Sequence, residues 1–302
     1  MLFRSNTTSD PARTNVLTLG DGRIGLAKLA TPNISRPDSN GRVIYQFNGG
    51  TLECLNSDTS DFLGSPNEIN LLAGGLTVDT LANTVKFSNT ASGIVRDPAL
   101  PLSTPDGGLC KRGSGTLEIA YDTCQLNGPL RVEDGTLRIS SAMLSDLEEI
   151  TVAPGKTLSF RGSYRQQLVP GRLTLGDAST ASRLDLDAAS DGSACDTLRI
   201  PAGGYVGKLN IHLKQRGPTD VDLTTPGDYP VFTYVTEPPD LALLTHANRA
   251  FGVVSTFLVD RAAKTVILRL ALSDTESTWA NSAGGDWETA ANWTPASPAG
   301  TA

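Results

Sequence analysis

A parallel β-solenoid, an all-β fold, is what this 302-residue sequence predicts, and three observations predict it. The tripeptide Gly-Thr-Leu stands at 115–117 and again at 135–137, and Gly155-Lys156-Thr157-Leu158 echoes it. Thr116, Thr136 and Thr157 therefore follow one another at two nearly equal steps. Apolar residues come in short alternating pairs, and 30 Gly and 18 Pro punctuate them. A catalytic motif occurs once, because one geometry does one job. A unit that returns at a fixed period is architectural.

The pairs run Leu117/Ile119, Leu130/Val132, Leu137/Ile139, Ile150/Val152 and Leu158/Phe160. They continue with Leu173/Leu175, Leu184/Leu186, Leu198/Ile200 and Leu209/Ile211/Leu213. Alternation with period two marks a strand with one face buried. In a solenoid each such strand lies about 4.8 Å from its counterpart in the next coil, so inward residues stack into columns. The β-branched Thr suits the pleated surface, and the Gly before it permits a sharp corner, often at positive φ. An antiparallel sandwich also has short strands, and Asp134-Gly135 is a hairpin dipeptide. The regular return of one tripeptide favours the solenoid.

Organisation follows the pattern. Residues 1–106 read as irregular early rungs with longer loops such as 57–70, and 107–213 as the regular stack. Longer strands in 227–272, turning at Asp260–Lys264, read as a hairpin cap that covers the open end. The domain is thus expected to span 1–273, leaving 274–302 as a tail.

A net charge of −7 and a pI near 4.9 argue against nucleic acid, which needs a basic face. The N-terminus has no apolar signal-peptide core and no apolar run approaches 18 residues, so no transmembrane segment is expected in this chain. It is expected to be an internal piece of a longer secreted chain.

Motifs that carry chemistry are sparse. There is no G-x-S-x-G elbow and no phosphate loop. "DLDAASDG" (185–192) echoes a calcium loop through Asp185, Asp187 and Asp191 but lacks its spacing and its terminal Glu. Two histidines, His212 and His246, and four cysteines without a C-x-x-C offer no metal site. Buried free thiols are the favoured reading of the cysteines, and the best bridge would be Cys110–Cys124, separated by less than one repeat. Glycan hydrolysis would need two carboxylates about 5–10 Å apart; Glu133 with Asp134 or Glu118 are the candidates. No acidic–His constellation supports them, so neither catalytic residues nor cofactors are expected.

The stretch 107–139 resembles the autotransporter-associated β-strand repeat. Lys111, Gly113, Gly115, Thr116, Leu117, Gly128, Val132, Gly135, Thr136 and Leu137 fit its pattern, while Cys110 and Cys124 depart from it. Stretches 45–55 and 71–93 resemble the elements preceding that repeat and 182–213 the coils following it, so the resemblance covers about 15–272. It implies a right-handed parallel β-helix of the passenger type, found in large bacterial proteins that are secreted or held at the cell surface. It does not extend to the outer-membrane barrel of autotransporters. The function it implies is an extended stalk or adhesive surface for glycans or matrix proteins, acting as a single copy. A polysaccharide-binding or polysaccharide-cleaving β-helix is the alternative. All three tryptophans, Trp279, Trp287 and Trp293, lie in the tail. Their spacing resembles the opening of a further module, with a sugar-stacking platform as the second reading.

Overall fold

The computed structural model describes residues 14–20, 27–34, 41–88, 94–96, 101, 104–120, 124–140, 147–161, 167–189, 194–215, 221–249, 252–273, 278–285 and 292–294. Short alternating segments become strands, and the chain deals them to three sheets that are parallel except where Val221–Asp222 pairs antiparallel with Leu209–Gln215 in the third. The first holds Thr14–Leu19, Arg42–Phe47, Glu68–Leu71, Ile94–Arg96 and Cys124–Gln125. The second runs through Lys28–Thr31, Gly50–Cys54, Leu76–Asp79, Leu109–Arg112, Leu130–Val132, Glu149–Val152, Arg172–Leu175 and Tyr205–Val206. The third stacks Thr84–Phe87, Thr116–Ile119, Thr136–Ile139, Thr157–Phe160, Ser182–Ala188 and Leu209–Gln215. The fold is all-β with parallel sheets, as the solenoid class requires. Among the described residues, one helical turn at Leu241–Leu243 is the exception.

Register makes the core. Val85, Leu117, Leu137, Leu158, Leu184 and Ile211 face one another on successive strands of the third sheet, and every one is fully buried. Phe87, Ile119, Ile139 and Phe160 form a second buried column beside it. In the second sheet the column reads Leu52, Val78, Lys111, Val132, Val152, Leu175 and Val206. Each fully buried Leu, Ile or Val contributes about 1.5–3 kcal/mol of transfer free energy.

The period is less regular than the repeat predicts. Thr157 faces Arg183 and Arg183 faces Asn210, and both steps are several positions longer than the one from Thr136 to Thr157. They fall within the stretch expected to keep one period. The glycines also act differently from one another. Gly135 does turn at φ +67, but Gly115 does not adopt positive φ. A Cβ on Gly115 would sit 2.0 Å from the carbonyl oxygen of Asn83, so close approach of adjacent coils selects glycine there.

Gln167–Leu168, Thr197–Ile200 and Gly227–Tyr234 pair in parallel in a fourth sheet. Thr265–Leu272 and Val253–Asp260 then add antiparallel strands, joined through 261–264 where the sequence predicts a hairpin.

Leu137→Ala should cost about 2–5 kcal/mol, because its stacked neighbours cannot collapse into the void. Leu137→Asp should not fold. Urea titration followed by far-UV circular dichroism measures both; wild-type stability in the Asp variant would mean that the column does not sustain the fold.

Candidate functional site

Outward positions of the third sheet also fall into rows. Lys86, Glu118, Arg138, Ser159, Asp185 and His212 follow one another on successive strands. Residue types of a nucleophilic triad therefore share one row, in the order Ser, Asp, His. Two strand spacings put the Ser159 and His212 positions about 9.6 Å apart, far beyond the roughly 2.6–3.2 Å of a nucleophile–base hydrogen bond. Asp185 is occupied by a two-pronged contact from Arg183, at 2.6 and 3.2 Å. Burial and the Arg183 charge hold His212 below the usual histidine range. This row carries no proton relay. The buried Ser159 Oγ and Arg138 Nε have no hydrogen-bond partner.

The candidate carboxylates each face a cation. Glu133 accepts from Arg112 at 2.6 Å, Asp134 from Lys156 at 2.6 Å, and Glu118 lies between Lys86 at 3.4 Å and Arg138 at 3.6 Å. The Arg112 hydrogen bond holds Glu133 below the carboxylate range, and the Lys156 hydrogen bond does the same for Asp134. A general acid requires the opposite shift. Arg131–Glu149 at 2.9 Å and Arg172–Glu148 at 3.0 Å continue the series along the second sheet. Such exposed pairs contribute about 0–1 kcal/mol each.

Cys110 is a free thiol, so the Cys110–Cys124 bridge, the alternative to free thiols, is not formed. Its strand belongs to the second sheet and that of Cys124 to the first, and Cys110 turns outward between Leu109 and Lys111 beside Glu133. Cys54 is a free, buried thiol, and Cys195 is buried with its Sγ 3.2 Å from the Asp196 carbonyl. Burial pushes the Cys54 thiol up to about 12 and the Cys110 thiol up to about 11, so neither is a ready nucleophile. Of the calcium-loop candidates, Asp185 is spent on Arg183 and the fully buried Asp187 lies 3.6 Å from Arg161; Asp191 lies outside the described residues. No group of three metal-ligating side chains forms among the described residues, and no described helix is long and apolar enough to cross a membrane.

In the tail, Thr278–Trp279 and Trp293–Thr294 make a two-stranded antiparallel sheet with Trp279 facing Trp293. Trp279 is half-buried and donates its Nε1–H to the Asn281 carbonyl at 2.6 Å, and Asn281 bonds Asn292 at 2.7 Å. Trp287 lies outside the described residues.

Three features escaped the sequence reading. Lys111 is fully buried, and its ammonium donates to the carbonyls of Arg112, Gly113 and Asp134 at 2.8, 2.7 and 3.1 Å. Burial pulls it down to about 8. His246 faces Ile211 and ends the third-sheet column, with neither ring nitrogen hydrogen-bonded. A cavity of about 290 Å³ lies beside the last strand of the second sheet, where Val206, Pro201 and Gly204 meet Glu237 and Pro238. Parity was the available signal for Lys111 and His246, which share the inward phase of Leu109 and Leu244. The cavity has no such signature.

No protein-family model matches this sequence, and no match is found among curated proteins.

Burial, then the positive charge of His212, lowers His246 from 6.5 to about 4. The unfolded chain therefore takes up this proton first. Stability should be full above pH ~6.5 and fall by up to about 3 kcal/mol as pH drops toward 4. His246→Leu should flatten that slope in urea melts between pH 7 and 4.5; an unchanged slope would clear His246 of the effect.

Deleting 274–302 removes every tryptophan. The β-sheet thermal midpoint should move by less than about 5 °C while indole fluorescence disappears. A larger drop would make the tail part of the domain.

Proposed function

We propose that this chain is a right-handed parallel β-helix, closed at one end by the Val253–Asp260/Thr265–Leu272 hairpin, whose shape is its function. It would serve as a rigid stalk or adhesive surface within a larger bacterial protein, secreted or displayed at the cell surface like the passengers its repeat resembles. The supporting observation is the unbroken register of buried columns across the stacked coils. The second sheet alone has eight strands, or about 34 Å of stacked backbone. A solid core of this kind resists bending because no coil can shift without breaking two ladders. The outward charges support the same reading, since they are paired along the surface rather than gathered at one point.

The test is binding of the full chain to arrayed glycans and immobilised matrix proteins, run beside a glycan-cleavage screen. Saturable binding without turnover is the expected result for an adhesive segment, and silence on every surface would leave the spacer. Turnover that Glu133→Gln abolishes would overturn the non-catalytic reading.

A further inference from the structure

The fourth sheet ends on a strand with unusual properties for an edge. Val253–Asp260 pairs with Thr265–Leu272 through eight consecutive positions without a bulge. On its other side no strand pairs with it among the described residues. Natural edges are blunted by lysine, proline, bulges or shortness. Lys28–Thr31 opens on a lysine, and Tyr205–Val206 and Val221–Asp222 are two residues long. Val253–Asp260 reads VVSTFLVD: eight residues, no proline, and one charge at its last position. Val254 is 42% exposed and the neighbouring Leu272 66%, while Phe257 and Val259 are partly covered by the core.

We propose that this edge joins two copies of the chain antiparallel, making one continuous sheet across a two-fold axis. The hydrogen bonds limit the register, and side-chain matching then selects it. Ser273 N–H donates to the Gly252 carbonyl at 2.8 Å, which makes Gly252 and Ser273 a hydrogen-bonded pair. By antiparallel alternation, Val254, Thr256, Leu258 and Asp260 spend their backbone groups on the hairpin, and Val253, Ser255, Phe257 and Val259 turn theirs outward. Outward groups must meet outward groups, and centring the axis on Thr256 achieves this. Val253 then faces Val259, Val254 faces Leu258, and Ser255 faces Phe257 of the other copy. Asp260 faces Gly252, so the two carboxylates sit at opposite ends of the ladder, roughly 27 Å apart. Val253 and Val254 meet Val259 and Leu258, Phe257 meets Ser255, and like charges never meet, which is why a second copy is the occupant this strand fits. The contact is isologous and closes on itself, giving a dimer rather than a filament. It departs from the single copy expected from the sequence.

Sedimentation equilibrium on the full chain tests this. The expected mass rises with concentration from 31.7 kDa toward twice that value. Thr256→Glu places two carboxylates face to face on the axis, yet within one copy it lies across from Arg269, so the fold is not penalised. Ser255→Pro removes an outward N–H. Each should weaken the dimer at least about tenfold, with a thermal midpoint unchanged at concentrations where wild type and variant are both monomeric. A monomer at every soluble concentration would overturn the proposal, as would a dimer that survives Thr256→Glu. Should Ser255→Pro disturb the hairpin, the Glu variant decides alone.

Discussion

Everything in this chain depends on stacking identical phases of backbone at one strand spacing. Once Thr116, Thr136 and Thr157 are in register, their neighbours Leu117, Leu137 and Leu158 have no choice of partner. The hydrophobic gain is collected along columns that cross coils, not within any one coil. This explains why single coils tolerate insertions. The longer steps from Thr157 to Arg183 and on to Asn210 leave the ladder intact, because the strands meet again in the same phase. Loop length costs entropy only logarithmically, whereas slipping the register by a single position would turn every Leu outward.

Lys111 is the instructive exception, an ammonium in a column of Leu and Val. Burying a charge without partners is prohibitive, so the corner must provide them. Gly113 turns at φ +79, the backbone reversal that accompanies its carbonyl's contact with the amine. Carbonyls of the next residue, of Gly113 and of the adjacent coil at Asp134 then use all three N–H donors. One side chain thus ties two coils together through the carbonyls of their turns. The depressed basicity measures what that burial costs. The spacing Lys-x-Gly-x-Gly-Thr-Leu acquires a mechanism: cation, reversal, close approach, pleated surface, core.

How much could be read in advance divides along the same line. Period-two alternation is local, so the strands, their inward residues and the hairpin turning at 261–264 were legible from neighbours in sequence. What partners a side chain across coils is not local. Cys110 looked close to Cys124 because both fall within one repeat, yet a fraction of a coil is what carries the chain to another sheet. Gly115 and Gly135 look the same in the tripeptide and differ in the structure, one avoiding a carbonyl and the other turning the chain. The row Ser159, Asp185, His212 is likewise invisible in sequence, because its members lie whole coils apart and only register aligns them.

That row also shows how the flat faces of the stack spend their charges. Parallel register fixes neighbouring outward side chains at one spacing, and long charged residues at that spacing find each other first. Arg131 takes Glu149, Arg112 takes Glu133 and Lys156 takes Asp134 across coils, while Arg183 takes Asp185 along its own strand. Charges satisfied in this way leave little unspent potential on the faces. Unspent interaction capacity collects where the ladder stops, at strand edges whose N–H and C=O groups have no next coil. The Val253–Asp260 edge is the longest such place among the described residues, and it carries the exposed Val254 as well. An unpaired strand edge is thus where the stack still has backbone hydrogen-bonding groups to offer.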